Sequence, residues 1–414
     1  MNFRNYDPER DFEAVRRIWH ETGWNELDRD LDKKGLAAYL DPACSDSYVA
    51  ELHGAAECSV GMAHGSYRHI DSDIPFVGVM SVTTSHVARK QGFAGGLTAH
   101  AIAQAVAKGA AMAGLGIFEQ GYYDKLGFGS GTFEQLIRFD PAQLNVPNAS
   151  RPPRRLTVDD AAVMHAARLR RMPVHGAVSF DQEGITQARS YWARGGFGLG
   201  YFDGPNGELS HFIWMGSTDF EYGPYTVHWM AYETHDQLRE LLGVLKGLGD
   251  QVVTISMLQP SGVRLQDLLI QPIKERLVRE RSKFESSGDA LAYWQMRICD
   301  LPACLAATHI ECDPVRFNLT LTDPIESRLP ENAPWRGCAG EYTVSLGRQS
   351  SAEPDHDPAL PTMTASVNAF TRLWIGVDTA SAIAFSDALD APPELMTELD
   401  RKLRLPSPHV DWEF

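Results

Sequence analysis

The sequence has little that would place the protein in or across a membrane. It contains no apolar run of the roughly 18 residues that suggest a transmembrane helix, and the segment Met1–Asp7 lacks the apolar core of a signal peptide. Neither a membrane span nor secretion is predicted, and we interpret the protein as cytoplasmic.

Cysteine is scarce, and its spacing does not suit a metal site. The 6 cysteines form no CxxC pair, and none stands at zinc-finger spacing from a histidine. The 14 histidines include no HExxH motif. Reduced, mostly buried thiols and no bound metal are therefore expected, as in a cytosolic chain.

Positive charge is in deficit, with 38 Lys and Arg against 54 Asp and Glu and a net charge of -16. Nucleic-acid binding is disfavoured, because phosphates are bound by basic surfaces. An acidic surface instead attracts cationic substrates such as polyamines, aminoglycosides or protein lysines. The alternative is that the acidity serves solubility alone.

A stretch in the first third of the chain has the pattern of an anion site. Residues Val77–Thr84 predict a buried strand, the loop Arg89–Gly96 follows, and apolar residues then recur at helical spacing. Glycine lets the backbone approach an anion, and the first free N–H groups of a helix point at it. The glycine spacing fits neither a P-loop nor a GxGxxG fingerprint. An ordinary strand-to-helix turn is the competing interpretation.

Two motifs in this stretch resemble those of a known family. The loop Arg89-Lys90-Gln91-Gly92-Phe93-Ala94 resembles the (Arg/Gln)-x-x-Gly-x-(Gly/Ala) loop of the GNAT acetyltransferases. After a further predicted strand, residues 119–129 read Glu-Gln-Gly-Tyr-Tyr-Asp-Lys-Leu-Gly-Phe-Gly. That segment resembles the enhanced intracellular survival (Eis) branch of the family, and the chain length and terminal Phe414 agree with it.

The resemblance and the composition together predict an α/β (α+β) chain of three domains. They are a catalytic GNAT domain (1–148), a degenerate second GNAT domain (149–287) and a sterol-carrier-protein-like α+β domain (288–414). Prolines near residue 148 and a predicted flexible spacer, Ser286-Ser287-Gly288, suggest the boundaries. The second domain repeats the strand–helix order, with a capping box at Thr234 and Gln237. Its turn lacks glycine, so we expect it to pack without catalysing.

The resemblance implies acetyl-CoA as the acetyl donor. The backbone of Val82, Thr83 and Thr84 would polarise the thioester carbonyl and hold the pantetheine arm, and Phe118 and Glu119 would line the donor from the next strand. The pyrophosphate would be held by the loop residues Lys90, Gln91, Gly92, Phe93, Ala94 and Gly95. Gln91 stands where the family often has arginine, which removes one charge for the phosphates.

The resemblance also implies two catalytic groups. Tyr123 is the candidate acid, because a phenol pKa of about 10 nearly matches that of the leaving thiol. The motif register favours Tyr123 over Tyr122. The alternative is that Tyr123 is an aromatic residue that packs in the core. The α-carboxylate of Phe414 is the candidate base. Its ordinary pKa of roughly 3.3–3.7 is low, so it would act through water or after desolvation.

The leading hypothesis is an acetyl-CoA-dependent N-acetyltransferase that transfers acetyl directly, in a ternary complex, to a primary amine of an aminoglycoside, polyamine or lysine. Trp24, Glu26 and Glu413 are the candidate substrate residues. The family implies a homohexamer, with no nucleic-acid or membrane partner. The alternative is a lipid- or sterol-binding protein that uses the C-terminal domain and keeps a non-catalytic GNAT scaffold. A purely structural protein has no positive feature in its favour.

Overall fold

The computed structural model describes residues 2–117, 119, 121–271 and 282–413, which form a mixed α/β fold with three sheets. The first sheet has eight strands in the order β1-β2-β3-β4-β5-β15-β6, with β9 paired to β3; β9 is Val178–Phe180 and β15 is Trp294–Ile298. The elements of the first part of the chain are β1 (Asn2–Asn5), α1 (Pro8–Glu21), α2 (Asp30–Tyr39), β2 (Asp46–Leu52), β3 (Ala55–His69), β4 (Ser72–Thr84), α3 (Phe93–Ala107), β5 (Met112–Gly116) and β6 (Gly129–Ser130).

Helix α1 shows how local sequence sets these elements. The Asp7 side chain accepts hydrogen bonds from the N–H groups of Glu9 and Arg10, and Pro8 supplies a fixed φ at the first helical position. Val15 and Ile18 are fully buried. They continue the apolar stripe read from the sequence, so the helix packs as predicted.

The two central parallel strands of the first sheet diverge. Strand β5 pairs with β4 only along Phe76–Gly78, although β4 continues to Thr84 on its other neighbour, β3. The β3–β4 register shifts near Ser81, whose φ is 55°, which marks a β-bulge. The end of β4 therefore carries backbone groups that β5 does not cover.

The second sheet has seven strands in the order β14-β7-β13-β12-β11-β10-β8. Parallel strands β12 and β13, joined through α6, repeat the β4–α3–β5 unit of the first sheet. The elements of this part are β7 (Glu134–Phe139), β8 (Arg154–Leu156), α4 (Ala161–Arg170), β9 (Val178–Phe180), α5 (Gly184–Trp192), β10 (Phe197–Tyr201), β11 (His211–Gly216), β12 (Tyr225–Ala231), α6 (His235–Gly247), β13 (Ile255–Leu258) and β14 (Ser287–Leu291).

The first two sheets exchange strands. Strand β15 (Trp294–Ile298) lies between β5 and β6 in the first sheet. Strand β7 follows β6 along the chain but pairs with β13 and β14 in the second sheet. Both sheets therefore contain strands from either side of the predicted boundaries at 148 and 287. The prediction of a flexible spacer at Ser286-Ser287-Gly288 is wrong, because Ser287 and Gly288 belong to β14, which is hydrogen-bonded to β7.

The third sheet has five strands in the order β18-β17-β16-β19-β20. Its elements are α7 (Leu301–Ala306), β16 (Val315–Thr322), β17 (Gly340–Leu346), β18 (Ser351–Glu353), β19 (Thr362–Ser366), α8 (Val367–Trp374), α9 (Ala380–Ser386), β20 (Leu389–Asp390) and α10 (Pro393–Lys402). A fully buried ion pair, Arg297–Asp323 at 2.6 Å, joins this unit to the first sheet. None of the helices within the described ranges has the length and apolar character needed to cross a membrane.

Candidate active site

The loop before α3 has the geometry of an anion site. Lys90 and Gly92 take left-handed backbone conformations, with φ of 59° and 84°, and no side chain caps the first turn of α3. The 15-residue helix therefore begins with open N–H groups and the positive end of its dipole. Gln91 folds back, because its side-chain amide donates to the carbonyl of Val87 at 2.8 Å.

The equivalent helix of the second unit, α6, has a side-chain cap at its start. The Thr234 side chain accepts from the backbone N–H of Gln237, whose own side chain accepts from the N–H of Thr234. This reciprocal capping satisfies the backbone N–H groups of Gln237 and Thr234, two of the donors at this helix start. The capping box predicted from the sequence is confirmed, and it distinguishes the two repeats.

An arginine from the third unit reaches the loop of the first. Ile325 and Leu329 pack in the same apolar cluster as Phe93 and Leu97 of α3. They hold Arg328 so that its guanidinium lies 3.9 Å from the position a Cβ of Gly95 would take. Sequence reasoning missed Arg328, because no local pattern connects it with the loop.

The end of β4 lies beside the predicted cofactor loop. The hydroxyls of Thr83 and Ser59 lie 2.8 Å apart, and the Thr84 hydroxyl donates to the sulfur of Cys58 at 3.4 Å. Burial raises the pKa of the Cys58 thiol to about 12, so the group stays a neutral thiol. Val82 is half-buried against the core beneath α3.

The two adjacent tyrosines occupy different positions. Their rings meet edge to face at 5.0 Å, and Tyr123 is only 7% exposed. The hydroxyl of Tyr122 lies 3.5 Å from the Cβ position of Gly95, at the first turn of α3. Burial, followed by the neighbouring Tyr122, raises the pKa of Tyr123. Its phenol is therefore a proton donor rather than a phenolate.

A cavity of about 470 Å³ lies between the end of β5, the second sheet and the C-terminal segment. It reaches the diverging strands at Gly116, the last residue of β5. Its apolar lining includes Leu136, Val227, Trp229, Met230, Met257, Leu258, Leu291 and Trp294. Its charged lining includes Glu134, Arg168, Arg171, Arg189, Asp289, Asp411 and Glu413.

The predicted substrate residues do not meet at one place. Glu413 lines the cavity, whereas Trp24 and Glu26 are not among its lining residues. Glu26 forms an ion pair with Arg194, and Trp24 is 41% exposed with its ring edge on Trp19. Two predicted site residues, the catalytic Phe414 and the donor-lining Phe118, lie outside the described residues, and Glu119 is exposed between β5 and the Tyr123 segment.

Arginines of the second unit hold the C-terminal segment beside the cavity. Arg171 donates two hydrogen bonds to the carboxylate of Asp411, at 2.5 and 2.6 Å. The guanidinium of Arg168 stacks 3.8 Å from the ring centre of Trp412. Arg189 lies 3.8 Å from Glu413. Each of the three residues 411–413 thus has its own arginine.

Comparison with known proteins finds this architecture in several solved structures. No protein-family model and no curated protein matches the sequence. A probable N-acyltransferase from Enterococcus faecalis superposes with a TM-score of 0.76 at 16% identity, over 100% of this chain and 99% of that one. Eis1 from Mycobacterium abscessus gives 0.74 at 15% identity, over 100% of this chain and 100% of its own.

A GCN5-related N-acetyltransferase from Kribbella flavida superposes at 0.72 with 15% identity, over 100% of this chain and 98% of that one. At such identities the likeness shows the fold. The chain shares the fold of these proteins, Eis1 among them, over its full length. The resemblance to Eis-like chains inferred from the loop motifs is therefore confirmed for the fold.

Proposed function

We propose that the protein is an acetyl-CoA-dependent N-acetyltransferase of the Eis-like GNAT type. It transfers acetyl directly, in a ternary complex, to a primary amine of a cationic acceptor. One observation carries the proposal: in the first repeat, an uncapped helix start lies beside a strand end that its neighbour leaves uncovered. In the second repeat the corresponding helix is capped. The shared fold supports the same activity.

The donor would lie across the start of α3. Its pyrophosphate would accept hydrogen bonds from the N–H groups that follow Gly92, and Lys90 and Arg328 would add positive charge. Arg328 would supply the guanidinium that Gln91 does not. The pantetheine arm would run along Val82–Thr84, whose backbone N–H groups would polarise the thioester carbonyl.

The reaction then requires proximity and proton transfer. Holding the amine against the thioester can lower the barrier by about 7–11 kcal/mol. The amine nitrogen bonds to the carbonyl carbon, the carbon–sulfur bond breaks, and the leaving thiolate takes the phenolic proton of Tyr123. The new amide loses one N–H proton, which returns through solvent to the Tyr123 phenolate. Burial raises the pKa of Tyr123 above its ordinary value, so the phenol is protonated when the thiolate forms, but it is a weaker acid than the close match with the thiol pKa assumed from the sequence.

The acceptor would occupy the cavity that Gly116 connects with the diverging strands. Glu413 would attract its ammonium group, and the protein's net charge of -16 would favour a cation over the whole surface. Aminoglycosides, polyamines and lysine side chains remain the candidate acceptors. The α-carboxylate of Phe414 remains the base that the family resemblance suggests, and Glu413, the last described residue, lines this cavity.

Three further features belong to the same proposal and come from the family resemblance. They are a sterol-carrier-like identity for the third unit, a cytoplasmic location and a homohexamer. In this proposal the third unit contributes to the active site in two ways. Arg328 reaches the loop before α3, and the C-terminal segment lines the cavity that Gly116 of the first unit also lines.

The proposal is tested by following CoA release from acetyl-CoA with each amine class. Gly92→Glu adds bulk and negative charge at the phosphate position, so we expect acetyl-CoA binding to be lost in calorimetry. Gly247→Glu is the matched control, because a Cβ at Gly247 meets nothing within 4 Å and lies on the capped helix. A folded Gly92→Glu protein with wild-type affinity would refute the donor site. Sterol binding without acetyl transfer would favour the alternative function.

A further inference from the structure

Arg168 and Arg297 are both almost completely buried, at 2% and 0% exposure, but they differ in what surrounds their charge. Arg297 pairs with the carboxylate of Asp323 at 2.6 Å. Arg168, on α4, forms no ion pair with any described residue, and its side chain donates one hydrogen bond, from Nη1 to the hydroxyl of Thr186 at 3.3 Å. A guanidinium has five N–H donors, and a buried charge without a counter-charge is costly.

Arg168 lies in the wall of the cavity. The central carbon of its guanidinium is 3.8 Å from the ring centre of Trp412 and 4.6 Å from that of Trp229, and all three residues line the cavity. Contacts with aromatic faces stabilise a cation but do not replace a hydrogen-bonded anion. Two carboxylates of the same wall, Glu134 and Asp289, are not among the charges that mainly shift the pKa of Arg168. The wall thus presents a positive charge that these two residues leave unpaired.

The carboxylates that do act on Arg168 are already engaged. Asp411 accepts two hydrogen bonds from Arg171, and Glu413 lies 3.8 Å from Arg189. These five side chains carry three positive charges and two negative charges. One positive charge, that of Arg168, therefore has no carboxylate of its own.

The pKa values of the two buried arginines show the same contrast. Burial, followed by the charge of Arg171, lowers the pKa of Arg168. Burial alone would also lower the pKa of Arg297, but the charge of Asp323 outweighs it and raises that pKa. A carboxylate placed against Arg168 would supply what Asp323 supplies to Arg297.

We propose that Arg168 binds a carboxylate of the acceptor, so that the acceptor is an amine whose body also bears a carboxylate group. This inference rests on the proposed acetyl transfer and narrows its acceptor class. A guanidinium can donate two parallel hydrogen bonds to a carboxylate, and the apolar lining of the cavity would contact the methylene chain of the acceptor. The ammonium group would stay with Glu413. Free lysine or a C-terminal lysine has this chemistry, whereas polyamines and aminoglycosides lack the carboxylate.

The carboxylate site is tested first without any reaction, by calorimetry with hexanoate, which is lysine without its amino groups. We expect wild-type protein to bind hexanoate roughly tenfold to a hundredfold more tightly than hexanamide, which has the same chain but no charge. Arg168→Met should abolish this difference. Arg170→Met is the matched control, because Arg170 lies on the same helix but is not among the residues that line the cavity.

The comparison of hexanoate with hexanamide is made on wild-type protein, so it decides the question even if Arg168→Met fails to fold. Equal affinities for the two ligands overturn the carboxylate site. A preference for hexanoate that persists in folded Arg168→Met also overturns it, because the carboxylate is then bound elsewhere.

Acetyl transfer then tests whether the carboxylate belongs to the acceptor. Lysine and cadaverine differ only in the α-carboxylate, so kcat/KM for lysine should exceed that for cadaverine roughly tenfold or more, and Arg168→Met should remove the preference. Equal or higher kcat/KM with cadaverine overturns the inference while leaving acetyl transfer intact, since the carboxylate is then that of a separate acid. A wild-type protein that binds acetyl-CoA and hexanoate but acetylates no amine overturns the proposed function and leaves the carboxylate site standing.

Discussion

Replacing Asp411 with asparagine removes the charge that fixes the C-terminal segment to the second unit. The side chain of Arg171 is 8% exposed and that of Asp411 is 19% exposed, so the two charges meet largely out of water. Breaking a buried pair typically costs about 3–5 kcal/mol, because one charge stays behind uncompensated. Arg171 also donates to the carbonyls of Arg168 and Val178 and to the hydroxyl of Ser179. Because Arg171 keeps these hydrogen bonds in the variant, we expect a cost near the lower end of that range, about 3 kcal/mol.

We expect this cost to release the segment rather than unfold the protein. The residues after α10, which ends at Lys402, form no helix or strand up to residue 413. Beyond the Asp411 pair, their attachment depends on the 1% exposed Trp412 and on hydrogen bonds such as that from the N–H of His409 to His175. A loss of about 3 kcal/mol lowers the equilibrium constant for attachment of the segment roughly a hundredfold.

Hydrogen exchange of the C-terminal peptide, measured beside kcat, is the assay. Asp411→Asn should raise exchange in that peptide and lower kcat, while acetyl-CoA affinity stays near the wild-type value. Glu398→Gln is the control, since its part-buried i,i+4 pair with Lys402 on a helix is worth only about 0.3–0.5 kcal/mol. Unchanged exchange and unchanged kcat in Asp411→Asn would contradict the argument.

The same pair gives a pH dependence with a definite sign. Burial alone would raise the pKa of Asp411, but the charge and hydrogen bonds of Arg171 outweigh it and lower the pKa below its usual value. The stabilisation is therefore complete above the unfolded pKa of about 3.9 and is lost as the pH falls through the lower folded pKa. Wild-type protein should release the segment only in that acid range, and Asp411→Asn should lack this transition.

Three other variants test the donor site and the catalytic groups. Tyr123→Phe should lower kcat by about 10²–10⁴-fold with unchanged acetyl-CoA affinity; if Tyr122→Phe shows that loss instead, the catalytic register is wrong by one residue. Adding one glycine after Phe414 moves the chain's charge by about 3.3–3.6 Å and should abolish transfer but not donor binding; full activity of the extended protein would exclude the α-carboxylate. Arg328→Gln should weaken CoA binding roughly tenfold but leave binding of phosphate-free pantetheine unchanged, and equal losses for both ligands would exclude a phosphate contact.

Local patterns predicted the parts of the fold that neighbouring residues decide. The apolar stripe of α1, the capping box of α6 and the strand at Val77–Thr84 all appear in the structure. Each depends on side chains a few positions apart. The spacer at Ser286-Ser287-Gly288 was predicted from composition and is wrong, because a distant strand, β7, supplies the hydrogen bonds that order it.

The sequence by itself determined the candidate loop, the tyrosine pair and the contrast between a turn with glycine and one without. These are properties of contiguous residues, and backbone geometry converts them directly into an open or a capped helix start. Only the tertiary structure decided that Arg328 reaches the loop, that arginines of the second unit hold the C-terminal segment, and that Arg168 faces the cavity. Those contacts join residues far apart in the chain through strand exchange and shared apolar cores, and no local spacing encodes them.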